Sequence, residues 1–395
     1  MPPANATSSD ISWPYWPVVP LYPYGRRRTI RREVVADTIW TFDQQQGIFY
    51  VVVPIRMTVV RLAAGGLLVY APVAPTGECI ALMRQLEAAH GPVRYIVLPT
   101  VSGIEHKVFV GPFARQFPQA EVFVIPNQWS FPVNLPLSWL GFPGDRTHVL
   151  PANSADSPFG DDFDYALLGP VRLGLGAFEE VAFFHRQSNT LLVTDTLLSI
   201  PPDPPDIVQL DPYPLLFHAR DAASDPIVDT PENRRKGWQR IVLFTFYFRP
   251  SVLEVPGLGE VLREVPNASD RSKKAYFGLY PFRWKSDWLD SFKAVHRDGQ
   301  LLVAPILQLL ILNRAPAEVS RWVEEVAAWD IQRIVPAHLA SSIAATGEDV
   351  RRAFEFVERG SDLPQGDLGT IQELNEDLTR LGAIPPAGAI SSSWP

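Results

Sequence analysis

The stretch LPTVSGIEHKVFVGPF, residues 98–113, decides how the rest of the chain is read. It opens on the end of an apolar run, VRYIVLP at 93–99, and continues into helically spaced apolar residues, so it marks a strand-to-helix turn. In that turn stand Glu105 and His106, an adjacent carboxylate and imidazole in a chain with seven histidines among 395 residues. Upstream, MTVVRL and LLVYAPV flank Ala63, Ala64, Gly65 and Gly66 and predict a hairpin. Thr76 is placed to cap the helix GECIALMRQLEAAH, and Gly91 to stop it. Downstream, AEVFVIP at 120–126 predicts a second buried strand. Strands alternating with helices imply buried, largely parallel pairing.

The composition, 46% apolar and 20% charged, predicts a soluble globular protein with one large core or two ordinary ones. The longest apolar runs, LLVAPILQLLIL at 301–312 and IVLFTFYF at 241–248, fall short of the roughly 20 residues a bilayer requires. No transmembrane segment is expected. The opening MPPANATSSD has no basic start followed by an apolar block, which makes a cytoplasmic location the default expectation. Cys79 stands alone, so no internal disulfide or thiolate cluster can form, and a metal site would need His and carboxylates. A net charge of −8 argues against nucleic acid as the main partner. The basic run GRRRTIRR at 25–32 reads as a solvated arm.

Three regions are expected: a Pro- and aromatic-rich arm and lead-in over 1–56, an α/β domain over 57–362, and a loosely attached helix and tail over 363–395. Within the domain, DYALLGP, VRLGLG, EVAFFHR and NTLLVTD read as a meander of short strands broken at Gly-Pro and Ser-Asn turns. Residues 201–295 read as a Pro-rich, then aromatic-rich, insertion. Alternation returns with a strand LLVAP at 301–305, a helix from about Pro316 to Trp329, and the strand IQRIVP before Ala337 and His338.

TVSGIEHK resembles the Thr-His-x-His-x-Asp-His motif of metallo-β-lactamase-fold proteins, which follows a buried strand and precedes a helix. Thr100 matches its Thr, Val101 and Gly103 fall on the first two histidines, and Glu105-His106 fall on Asp-His. NTLLVTDTLL at 189–198 resembles the family's T-L-x-x-G-D segment, with Asp195 on the metal-bridging aspartate. IVPAHL at 334–339 resembles its closing Pro-Gly-His, with His338 on the last histidine ligand, while Gly176 falls on the remaining histidine of the first site. The resemblance implies an αββα sandwich in which the first metal site is erased. It leaves Glu105, His106, Asp195 and His338 as the second. The wider wording, including NQWSFPVNLPLSWLGFP, resembles a divergent branch of that superfamily found in cyanobacteria and plastid-bearing organisms, with no established activity to carry over.

Two imidazoles and two carboxylates suit one divalent transition metal, Zn, Fe or Mn. The expected function is a metallo-hydrolase-like protein with one retained metal site, acting on an ester or amide of a small-molecule substrate. A non-catalytic, metal-braced protein that binds a protein partner and a mononuclear iron redox enzyme are the alternatives. His185 is too far along its strand from Gly176 to replace the missing ligand, and histidines placed at Val101, Gly103 and Gly176 are expected to restore a second position.

Overall fold

A computed structural model describes residues 7–17, 20–101, 105–130, 134–174 and 176–388. Gly103, on which one erased ligand position falls, lies outside the described residues.

Two sheets face each other. The first has seven strands in chain order: β1 (Ile30–Val35), β2 (Ile39–Ile48), β3 (Val51–Arg61), β4 (Leu67–Tyr70), β5 (Val93–Leu98), β6 (Glu121–Val124) and β7 (Thr147–Val149). Antiparallel pairing runs from β1 to β4 and parallel pairing from β4 to β7. Helices α1 (Gly77–His90) and α2 (Lys107–Gln116) supply the crossovers that parallel neighbours require. Thr76 caps α1 by accepting from the Cys79 N–H, and Gly91, at φ 95°, ends it in a region few side-chain-bearing residues adopt. The second sheet orders β14-β13-β10-β9-β8, built from β8 (Phe163–Leu173), β9 (Gly176–His185), β10 (Thr190–Val193), β13 (Arg333–Pro336) and β14 (Ile343–Ala344).

Tyr70, Val97 and Phe123 of the first sheet meet Phe163, Phe183 and Leu192 of the second in one buried cluster. The Tyr70 hydroxyl crosses this seam to donate to the Val181 carbonyl at 2.8 Å. On the outer face of the first sheet, Met57 and Val69 pack with Met83 of α1 and Phe109 of α2. Behind the second sheet, Val319, Trp322 and Val326 of the helix Pro316–Ala327 cover Leu168 and Val193. The layers are therefore helix, sheet, sheet, helix, which is the expected αββα sandwich.

Several expectations change. The first sheet begins at Ile30, and the boundary drawn at residue 57 falls inside β3. The basic run is no solvated arm. Arg27 is buried and donates to the Gln45 carbonyl, Arg28 pairs with Glu78, and Arg32 bridges Asp43 and Asp206. Gly169-Pro170 is a bulge within one long strand, β8, with the register shifting between Leu168 and Val171. LLVAP forms no strand: Leu302 makes an isolated bridge to Leu198, and Pro305 opens a helix, Pro305–Leu310, where its missing N–H costs nothing.

The segment 201–295 is mostly helical, with one two-strand ladder of β11 (Leu253–Glu254) and β12 (Arg283–Trp284). Its central helix, Pro231–Tyr247, carries most of the IVLFTFYF run. Gly237 lets the preceding helix, Tyr213–Ala219, come close, since a Cβ there would lie 1.8 Å from the Leu215 carbonyl oxygen. The C-terminal helix, Gln365–Arg380, is firmly attached: Leu368 and Ile371 join the insertion's core, and Asp367 accepts from the Ser251 N–H and hydroxyl.

Candidate metal centre

Glu105 and His106 lie in the turn between β5 and α2, Asp195 two residues past β10, and His338 two residues past β13. All are at carboxyl ends of strands, where α/β sheets leave side chains free of the ladder. Glu105, Asp195 and His338 each offer a ligand atom within 4.8 Å of the others. His338 Nε2 stands 3.0 Å from a Glu105 oxygen and 3.1 Å from an Asp195 oxygen. His106 lies beside that trio rather than within it, its ring centroid 6.2 Å from that of His338.

The two imidazoles are oriented alike. His338 Nδ1 lies 3.1 Å from the Pro54 carbonyl and His106 Nδ1 lies 3.0 Å from the Pro72 carbonyl. A carbonyl only accepts, so each Nδ1 carries the proton and each Nε2 keeps a free lone pair, that of His338 directed at the two carboxylates. His106 Nε2 is buried and without a partner among the described residues. An orphaned buried lone pair costs desolvation free energy, and a metal ion satisfies it. The donor set therefore fits one divalent ion.

About a third of each carboxylate side chain is open to a cavity, although the surroundings are close-packed. Packing pushes the Glu105 carboxyl up, but the His338 and His106 imidazoles outweigh it and pull its pKa down to about 2. Burial lowers His338, yet the adjacent Glu105 and Asp195 charges dominate and hold it well above the ordinary imidazole value. His106 moves the other way, lowered by burial and by the neighbouring His338 charge. Without an ion, a proton on His338 Nε2 bridges the two carboxylates.

Sequence reading missed the residues that hold these groups in place. Glu180, buried in β9, accepts from the backbone N–H groups of Thr194, Asp195 and Thr196 and from the Thr196 hydroxyl, fixing the turn that presents Asp195. Burial and the Asp195 charge push its own pKa up to about 7. Arg56, buried in β3, pairs with Asp43 at 2.6 Å and donates to the carbonyls of Pro336, Leu339 and Ala340, so it grips the loop bearing His338. Leu339 in that loop sits at φ 57°, a strained conformation that such a grip sustains. The available signals were a pair of acids at the head of the apolar run EEVAFF and a lone cation in VVVPIRMTVV.

The two erased positions among the described residues are filled. Val101 is buried between the sheets, and its carbonyl accepts from Lys107 Nζ at 2.7 Å. The same ammonium donates to the Trp129 carbonyl at 2.5 Å, and burial lowers its pKa to about 8. A Cβ on Gly176 would meet the Trp129 ring at 2.7 Å. At Val101 and Gly176, packing therefore occupies the space that histidine side chains would need.

Two cavities meet at the site. One of about 260 Å³ is lined by Glu105, Asp195, His338, Val53 and Thr245 among others. The next, of about 570 Å³, shares Glu105, Val53 and Thr245 and runs outward past Phe49, Phe244 and Phe248. Among the described residues neither is lined by a lysine or arginine, and no described helix is long and apolar enough to cross a membrane.

Comparison with curated proteins by sequence gave no match. Among solved structures, the metal-soaked Flv1 flavodiiron core from Synechocystis sp. aligns at 11% identity and TM-score 0.40, over 84% of this chain and 61% of that one. This chain thus spans less than two thirds of that protein's length. A fragment of the putative diflavin flavoprotein A 5 from Nostoc sp. aligns at 10% identity and TM-score 0.42, over 85% of this chain and 98% of that one. A metallo-β-lactamase from Pontibacter korlensis aligns at 10% identity and TM-score 0.39, over 84% and 99%. Likenesses this distant carry no residue role across. Residues 36–356 match the model of a domain of unknown function, DUF4336, and the chain belongs to that family.

Proposed function

We propose that the protein is a hydrolase using one divalent metal ion, held by Glu105, His106, Asp195 and His338, and acting on an uncharged ester or amide. The observation that carries this reading is the matched pair of imidazoles. Each has Nδ1–H tied to a backbone carbonyl, which leaves Nε2 free as a ligand: that of His338 faces the two carboxylates, and that of His106 is buried beside the trio without a partner among the described residues. A bound ion would supply a water of lowered pKa and polarise the substrate carbonyl. The chain does the rest. Arg56 and Glu180 hold the His338 and Asp195 segments in register, and the apolar walls exclude bulk water while orienting the substrate. Cavities whose described lining holds no lysine or arginine favour neutral substrates over phosphates.

The test is elemental analysis of protein purified without added metal, followed by hydrolysis of neutral esters. About one transition-metal ion per chain is expected, with both the ion and hydrolysis lost in His338→Ala and in Asp195→Ala. Two tightly bound ions per chain, or an ion retained by both variants, would sink the assignment.

A further inference from the structure

The outer cavity opens on a rim of aromatic side chains with unusual backbones. Phe49 is 72% exposed at the β2–β3 turn and Phe277 is 62% exposed, while Ile48 and Phe248 beside the opening are also exposed. Phe49 contacts Tyr276 with ring centroids 6.3 Å apart, and Tyr276 in turn packs on Tyr50, so the two exposed segments form one face. Phe49, Tyr50, Phe248, Tyr276 and Phe277 all have φ between 48° and 66°. Bulky residues avoid that region; Phe49 and Phe248 line the opening, Tyr50 and Tyr276 adjoin Phe49 through chain and ring contact, and Phe277 follows Tyr276, so strain is gathered there. Folding alone gives no reason to keep large apolar rings in water on a strained backbone.

Cations outnumber acids around the rim. Exposed Arg249 follows Phe248, and exposed Arg271, Lys273 and Lys274 precede Tyr276, four cations against the carboxylates of Asp270, which the Ser272 N–H holds ionised, and Asp211, which accepts from the Tyr22 hydroxyl. The chain as a whole carries −8, so this cationic edge is local. Protruding aromatics, flanking cations and a continuous apolar passage behind them match the recognition of an anionic lipid surface.

We propose that this face docks on an anionic lipid surface, from which a largely apolar ester or amide passes through the outer cavity to Glu105, Asp195 and His338. The source of the substrate deepens the hydrolase reading, whereas docking itself is read without turnover or metal. A failure of either is therefore distinguishable from a failure of the other.

The test is co-sedimentation of the full chain with vesicles of phosphatidylcholine alone and of phosphatidylcholine with phosphatidylserine. At least tenfold tighter binding to the anionic vesicles is expected. The double variant Phe49→Asn/Phe277→Asn should lose at least tenfold of that binding with its unfolding midpoint unchanged or raised, because Asn tolerates the left-handed region better than Phe. Arg271→Glu/Lys273→Glu should abolish the preference for anionic vesicles. Equal binding by the Asn variant, or no sedimentation with either vesicle, overturns the proposal. So does a dimer in solution that the Asn substitutions dissolve, since a second copy would then be the occupant of this face.

Discussion

Replacing Arg56 by Met should damage the protein twice, through stability and through the metal. The guanidinium is about 1% exposed, makes a 2.6 Å pair with Asp43, and serves carbonyls of Pro336, Leu339 and Ala340. Met preserves most of the volume, so packing loss is small. What remains is a buried Asp43 carboxylate short of one partner and three carbonyls without a donor. Breaking a buried pair from one side costs about 3–5 kcal/mol, and the stranded carbonyls place this case at the upper end. Set against a typical unfolding free energy of about 5–15 kcal/mol, that is a large fraction of the whole. The loop bearing His338 also loosens, which should weaken metal retention roughly 10- to 100-fold. Urea titration gives the first quantity and chelator competition the second. The exposed Arg84→Met variant is the control, expected to cost less than about 1 kcal/mol. If Arg56→Met is no worse than Arg84→Met, or loses stability while holding metal as tightly as the parent, the positioning role assigned to Arg56 is wrong.

Glu180→Gln should leave two of the four donors around that side chain facing an amide NH2, and metal affinity should drop about 10-fold or more in chelator competition; unchanged affinity would remove Glu180 from the support of Asp195. Gly176→Ala should destabilise by about 1–3 kcal/mol through the Trp129 ring, and Trp129→Leu in the same chain should recover part of the loss in urea titrations. Glu179, buried and bonded to the Asn127 amide, has a pKa pushed up to about 7 by burial, from an ordinary 4.5. The folded state therefore holds a proton that the unfolded state releases, so stability falls as pH rises between those values, by on the order of 3 kcal/mol at most. Glu179→Gln should stabilise at pH 8, with the gain shrinking toward pH 5; a gain independent of pH would show that titration is not its source.

The turn from β5 into α2 is legible in the sequence because a buried parallel strand is a continuous apolar run and the helix that follows has its own period. Asp195 and His338 are legible through the same grammar, each just past a short apolar strand. β2 is not, because its centre, Asp43 to Gln46, is polar yet buried. Gln44 is satisfied there by both backbone groups of Ala74, thirty residues away, and no local pattern announces such a partner. The basic run fails for the same reason, since Glu78 and Asp206, which neutralise it, are distant in sequence. LLVAP has the composition of a strand, but pairs with the rest of the protein only through the Leu198–Leu302 bridge before Pro305 starts a helix.

The seam between the two sheets divides the candidate ligands evenly. Glu105 and His106 hang from the first sheet, Asp195 and His338 from the second. An ion bound by all four would act as a clasp across the two layers, beside the backbone bridges Thr100–Glu180 and Ile55–His338 that already join them. Neither layer alone carries more than half of the clasp, so metal capture would have to wait until the layers had docked. An ion so captured would make their separation a coordination event as well as a hydrophobic one, and chelators should speed unfolding more than they change the folded protein's secondary structure.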